Sequence, residues 1–260
     1  MSKRFFFLIL ILTTGLSCSK DDNLPAIVDI PVTFQVQMRE KLGAGTGSRP
    51  LELHISSVEK LDCQNYQIDF EFSKKGRNIS LALKDFILSE PCIPGEGLAK
   101  AVANLGWLNK GNYPFTISLK DVIENEGQLV VADQSYTIKL KTTDGILASP
   151  ATLLRIPDNA LWGEVFAASD SVATLAEGFL EELEQISGDL NLQAGNYGFF
   201  QIGENGVLML LEPEGKEKAI SFYFSYQGER DVLAGLVSEY RDAGANDLGI
   251  RLYDALGTSY

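Results

Sequence analysis

The chain has 260 residues, 45% of them hydrophobic, with 22 Lys+Arg against 35 Asp+Glu and a net charge of −13 at pH 7. That length supports two domains of ordinary size. The acidic balance repels nucleic-acid phosphates and anionic lipid head groups, which argues against nucleic acid as a partner and against a basic patch as a route to a membrane.

The first stretch, MSKRFFFLILILTTGLSCSKDD, reads as an address. Lys3 and Arg4 are a short positive segment, and Phe5 to Leu12 are an apolar run. The run has the length of a signal-peptide core and is too short to span a bilayer. Ser17 supplies the small residue a cleavage site needs, and Cys18 follows it directly. The stretch resembles the signal of bacterial lipoproteins cleaved by the type II signal peptidase. That family usually has Leu three residues before the cysteine, where this chain has Gly15, with Leu16 one place later. Ser19, Lys20, Asp21 and Asp22 are similar to the export signal of surface lipoproteins of the Bacteroidota type.

The resemblance implies a signal peptide over 1–17, lipid attachment at Cys18, a lipidated tether over 18–27, and an outer-membrane location facing the cell exterior. A single acyl chain holds a protein only marginally, so the diacylglyceryl group and further acyl chain (palmitate, for example) of such proteins match the need for more than one. The other reading is a secreted protein cleaved near Ser17, with Cys18 a leftover thiol. Losing Lys3 and Arg4 with the signal leaves 20 Lys+Arg against 35 Asp+Glu, a net of −15.

Residues 28–157 alternate with period two. DIPVTFQVQMR sets Val32, Phe34, Val36 and Met38 on one face; PLELHISSVEK does the same with Leu51, Leu53 and Ile55; NYQIDFEFS with Tyr66, Ile68, Phe70 and Phe72. Further strand-like runs follow, separated by glycine-bearing turns such as KKGRN, ENEG and TTDG. Seven to eight short strands predict a β-sandwich. Gly111, Tyr113, Phe115 and Ile117, with Tyr136 and Ile138 after them, resemble the aromatic hairpin of immunoglobulin-like domains in bacterial surface proteins. The resemblance implies an all-β immunoglobulin-like sandwich. Cys63 and Cys92 do not stand in an antibody-type arrangement. In an oxidising compartment they form an even pair, whose bridge would contribute about 3 to 4 kcal/mol. The alternative is two buried thiols.

From about residue 158 the rhythm changes. SVATLAEGFLEELEQIS puts Val172, Leu175, Phe179, Leu183 and Ile186 on one helical stripe, and RDVLAGLVSEYRDAG does so with Val232, Leu233, Leu236, Val237 and Tyr240. Strand-like runs surround them, and Asn205-Gly206 reads as a hairpin turn. The predicted order over 158–260 is β-α-β-β-β-α-β, an α+β domain with a ferredoxin-like layer and one extra strand.

The single histidine, His54, shares the polar face of its strand with Glu52 and Ser56, which makes it a solvent-facing residue rather than a general base. No nucleophile elbow, zinc-ligand pattern or calcium-loop pattern occurs, so no catalytic residue, metal or cofactor is expected. GAGTGS at 43–48 lacks a following Lys and a helix, and reads as a loop. Glu177, Glu181, Glu182 and Glu184 are the wet face of a helix.

One surface carries a functional expectation. If both helices cover one face of the second sheet, Trp162, Glu164, Phe166, Tyr223, Arg251 and Tyr253 turn to the other. Such a face can stack on sugar rings or a peptide, or pack on the first domain. The sequence therefore predicts a surface lipoprotein, tied to the membrane by lipid, that binds a glycan, peptide or envelope protein without turnover. Alternatives are a structural subunit of an envelope complex and, third, a hydrolase.

Overall fold

The computed structural model describes residues 31–43, 49–211, 219–245 and 247–260. The segment 1–17, Cys18 and the run Ser19, Lys20, Asp21, Asp22 lie outside the described residues.

The first ten strands are β1 (Phe34–Glu40), β2 (Leu51–Cys63), β3 (Tyr66–Lys75), β4 (Asn78–Leu88), β5 (Pro94–Gly106), β6 (Gly111–Leu119), β7 (Ile123–Val131), β8 (Ser135–Leu140), β9 (Ile146–Ala148) and β10 (Thr152–Leu154). They join one sheet in the order β10-β8-β7-β6-β4-β3-β5-β2-β1-β9. From Phe34 onward the alternating residues of β1 and β2 turn inward as their period requires, while Val32, expected on the same face, lies before β1 and is 40% exposed. Phe34, Val36, Leu51, Leu53, Leu81, Phe115, Ile117 and Leu129 share a single core. Register shifts in the β2–β5 pairing, between Ser56 and Lys60 among other places, bend these long strands. The sheet curls until its edges meet across a short turn: Ser149 N–H donates to the Val36 carbonyl, and Ile138 N–H donates to the Ala151 carbonyl. Cys63 and Cys92 form a disulfide between the end of β2 and the loop before β5, with a Cα–Cα distance of 5.5 Å.

The remaining elements are β11 (Ala160–Ala167), a 3-10 turn at Asp170–Val172, α1 (Ala173–Ile186), β12 (Gly195–Asn196), β13 (Phe200–Ile202), β14 (Leu208–Leu210), β15 (Ala219–Ser225), α2 (Arg230–Gly244) and β16 (Leu248–Asp254). β11 is central in an antiparallel sheet of order β15-β11-β16. Phe179 and Leu183 of α1, with Leu233 and Val237 of α2, bury one face of it against Leu161, Val165, Ile250 and Leu252. The middles of both stripes are as the spacing predicts; at their ends Ile186 and Val232 are exposed and Val172 lies in the 3-10 turn before α1.

The predicted fold class is overturned. The described residues are 53% strand and 15% helical, and the first part is one ten-stranded curled sheet, not an immunoglobulin-like sandwich. Alternation tells which face of a strand is buried, but not which strand lies beside it. Here β4 and β6 pair in parallel, and so do β1 and β9, which links into one sheet strands that a sandwich would divide between two. The second part is not a ferredoxin-like layer. NYGFFQIG and the described part of the next run, GVLMLL, do not join β11; they form a separate small sheet, β12-β13-β14. Tyr197, Phe200, Ile202 and Leu208 of that sheet pack with Trp162 on the face away from the helices. Three aromatic-rich strands have two faces to cover, and this sheet covers the second.

The two parts are joined by a buried charge cluster. Arg49 and Glu40 are each 2% exposed, with Nη1 of Arg49 3.1 Å from Oε2 of Glu40. The same guanidinium donates to the carbonyls of Ile156 (2.7 Å) and Ala255 (3.1 Å) and to Oδ1 of Asp158 (2.8 Å). Glu40 also accepts from the Ile156 N–H and from the Tyr136 hydroxyl. Buried charges persist where their hydrogen-bonding capacity is filled. Burial, with the Glu40 carboxylate beside it, pushes the Tyr136 phenol up to about 12.

Candidate functional site

β11 sets out the site by its register. On the face away from the helices, Trp162 stands between Tyr223 and Tyr253, Glu164 between Ser221 and Arg251, and Phe166 between Ala219 and Gly249. The Phe166 ring lies over Gly249, where a Cβ would come within 1.8 Å of it, so only glycine fits there. Glu164 is 4% exposed and receives Nη1 of Arg251 at 2.9 Å; Nε of Arg251 donates to the Tyr253 hydroxyl at 3.2 Å. Trp162 is 2% exposed, with ring centroids of Phe200 at 5.1 Å, Phe199 at 6.2 Å and Tyr253 at 6.2 Å.

The other wall comes from the curled sheet. Arg39 and Glu52 are directly paired residues on the outward face of β1 and β2, with His54 next along. Arg39 lies 5.5 Å over the Phe199 ring. Lys41 Nζ approaches Glu52 at 3.4 Å, and His54 Nε2 approaches the same carboxylate at 3.5 Å. The turn after β16 closes one end: Gly257, in the left-handed region at φ +86°, packs so tightly on Leu42 and Gly43 that a Cβ would meet both within 2.9 Å.

Together these groups line a cleft of 410 Å³ between the two parts of the molecule. Its floor is Trp162, with Phe199 and Tyr253 half-buried beside it. Its rim is Arg39, Lys41, Glu52, His54 and Arg251. Such a mix of aromatic floor and converging polar groups is the usual make-up of a ligand site.

Of the six residues predicted for the aromatic face, Trp162, Arg251 and Tyr253 reach the cleft. Glu164 stands behind Arg251 and holds it. Phe166 is packed into the interior, 6% exposed. Tyr223 faces the β13–β14 turn, donating its hydroxyl to the Gly206 carbonyl at 3.1 Å. His54 lies on the outward face of β2 as the sequence predicts, but that face forms part of the cleft wall. Arg39, Lys41 and Phe199 were not among the predicted site residues. The outward positions of β1 are legible from its alternation; their meeting with Tyr253 is not. Among the described residues no cluster of His, Cys, Asp and Glu suits a metal ion. No helix among them is long and apolar enough to cross a membrane.

Compared with known protein families, with curated proteins and with solved structures, the chain matches none.

Proposed function

We propose that this chain is a lipoprotein of the outer-membrane surface, anchored through Cys18, whose cleft captures a ligand without chemical turnover. The observation that carries the binding reading is the cleft itself: 410 Å³ with a Trp162, Phe199 and Tyr253 floor and a charged rim. Aromatic faces give contact area at small entropic cost, and the rim supplies donors and acceptors that orient a ligand. The cleft lies at the end of β1 remote from its first residue. β1 comes in at Phe34, beside Gly145, and carries the chain roughly 20 Å to Glu40 at the cleft.

The test uses the full chain in detergent against glycan and peptide arrays, with Tyr253→Ala in parallel. Retention of a ligand class that Tyr253→Ala loses supports the reading. A stoichiometric envelope protein co-purifying with the chain, with blank arrays, points instead to a structural subunit. Turnover of arrayed glycosides or peptides would overturn capture without chemistry. The address is tested separately: added protease should remove the protein from intact cells, and Cys18→Ala should release it from the membrane.

A further inference from the structure

We infer that the cleft is one end of a longer groove along the outward face of β1, and that this groove takes a neutral oligosaccharide of several rings. The inference rests on the binding reading above and names its ligand class.

The first observation is continuity. Gln35, Gln37 and Arg39 are successive outward residues of β1. Arg39 lines the cleft, whereas Gln35 and Gln37 line a second concavity of 610 Å³, shared with Asn196 and Gln201 of the small sheet. Leu211 borders both spaces. From Gln35 to Lys41 the groove runs about 20 Å, too long for a single sugar or amino acid.

The second observation is charge balance. The rim cations already have partners: Lys41 lies against Glu52, with the His54 ring beside the same carboxylate, and Arg251 lies against the buried Glu164. Arg39 is spread over the Phe199 ring. An anionic ligand would have to displace these carboxylates or sit beside them, and each costs electrostatic energy. A hydroxyl loses nothing by this pairing. It donates to a carboxylate oxygen and accepts from the neighbouring cation, so the paired Lys41–Glu52 edge suits vicinal diols.

The third observation is the character of the far end. Gln35, Gln37, Asn196 and Gln201 are uncharged amides; Gln35 Nε2 donates to the Ser149 carbonyl and Asn196 Oδ1 accepts from the Gly198 N–H, which leaves the Gln35 oxygen and the Asn196 nitrogen to face the groove. Among the described residues the side chains of Gln37 and Gln201 make no hydrogen bond, which leaves them available to hydroxyl groups. At the near end Tyr253 and Phe199 present ring faces to the apolar side of a pyranose. A peptide is served less well. β1 is paired with β2 along one edge and with β9 over Phe34–Val36 on the other, and the groove runs over its outward face, which presents side chains rather than the strand edge that extended peptides use.

The experiment is titration calorimetry of the full chain in detergent with neutral gluco-, manno- and xylo-oligosaccharides from two to six rings. Acidic uronate oligomers of the same lengths and short peptides complete the panel. Affinity should rise with the number of neutral rings and then level off. Tyr253→Ala should weaken every length about tenfold. Gln37→Ala should weaken only the longer ones, about threefold. Binding confined to uronates or to peptides would overturn the neutral-oligosaccharide inference while leaving capture at the cleft intact. A loss in Gln37→Ala that is equal at every length, or no loss at all, would overturn the extended groove. Silence across the whole panel would sink this inference and the glycan and peptide forms of the binding reading together.

Discussion

The two faces of β11 are built from the same eight residues and do opposite things. Toward the helices, Leu161 and Val165 meet Phe179, Leu183, Leu233 and Val237 in a layer of hydrocarbon. Away from them, Trp162, Glu164 and Phe166 meet aromatic rings and an arginine, and a small second sheet covers only part of the surface. The contrast separates stability from contact. A face closed by two helices has no polar group to offer; a face covered by a short hairpin sheet leaves Arg251 and Tyr253 at the edge of a cleft.

The helix face should break hardest. Phe179→Ala removes a ring that is 0% exposed, and packs edge-on against Phe222 and Tyr240, so it should lose about 4 kcal/mol of unfolding free energy in a urea titration. Next comes the junction. Arg49→Ala leaves Glu40 buried without its cation and should lose about 3 kcal/mol. Because the same side chain ties Ile156 and Ala255, amide exchange should quicken at both, and a variant in which these amides stay protected would remove Arg49 from its role as a strut.

The pH dependence sharpens the picture of that junction. An unfolded tyrosine ionises near pH 10, and in the fold Tyr136 is pushed up to about 12. The neutral hydroxyl is therefore the form the fold favours. Its stabilisation is fully present below pH 10 and is lost as the pH climbs toward 12, by on the order of 2 kcal/mol. Tyr136→Phe should flatten that part of the stability curve relative to the native chain, and an unchanged slope would show that other groups cause it. On the cleft face the effect should be smallest. Glu164→Gln keeps the shape but removes the charge behind Arg251, and should lower stability by about 1 kcal/mol while loosening the Arg251 side chain, as read by its side-chain NMR signals.

Much of the local structure was legible in the sequence. The inward sets on β1 and β2, the middles of both helix stripes, the Asn205-Gly206 turn and the Cys63–Cys92 pair follow from period, turn chemistry and cysteine number. What the sequence did not disclose is long-range. Nothing in the period of β4 announces its parallel pairing with β6, so one curled sheet was read as a sandwich. Arg49 ends a glycine-rich run that reads as a plain loop, and its bonds to Ala255 and Ile156 join residues distant in the chain. The aromatic face of β11 was recognisable, but alternation could not show that Phe199 and Phe200 would fold over Trp162, nor that β1 would bring Arg39 to the opposite wall.

The central claim is that the cleft face is for contact and the helix face for stability. One measurement tests it: affinity for an oligosaccharide that the native chain retains, taken alongside the unfolding midpoint, in Tyr253→Ala and in Val237→Ala. The account predicts that Tyr253→Ala weakens binding about tenfold with a small change in midpoint, and that Val237→Ala lowers the midpoint with affinity unchanged. If Tyr253→Ala binds as tightly as the native chain, or if the folded Val237→Ala variant loses affinity to the same degree, the division between the two faces is contradicted.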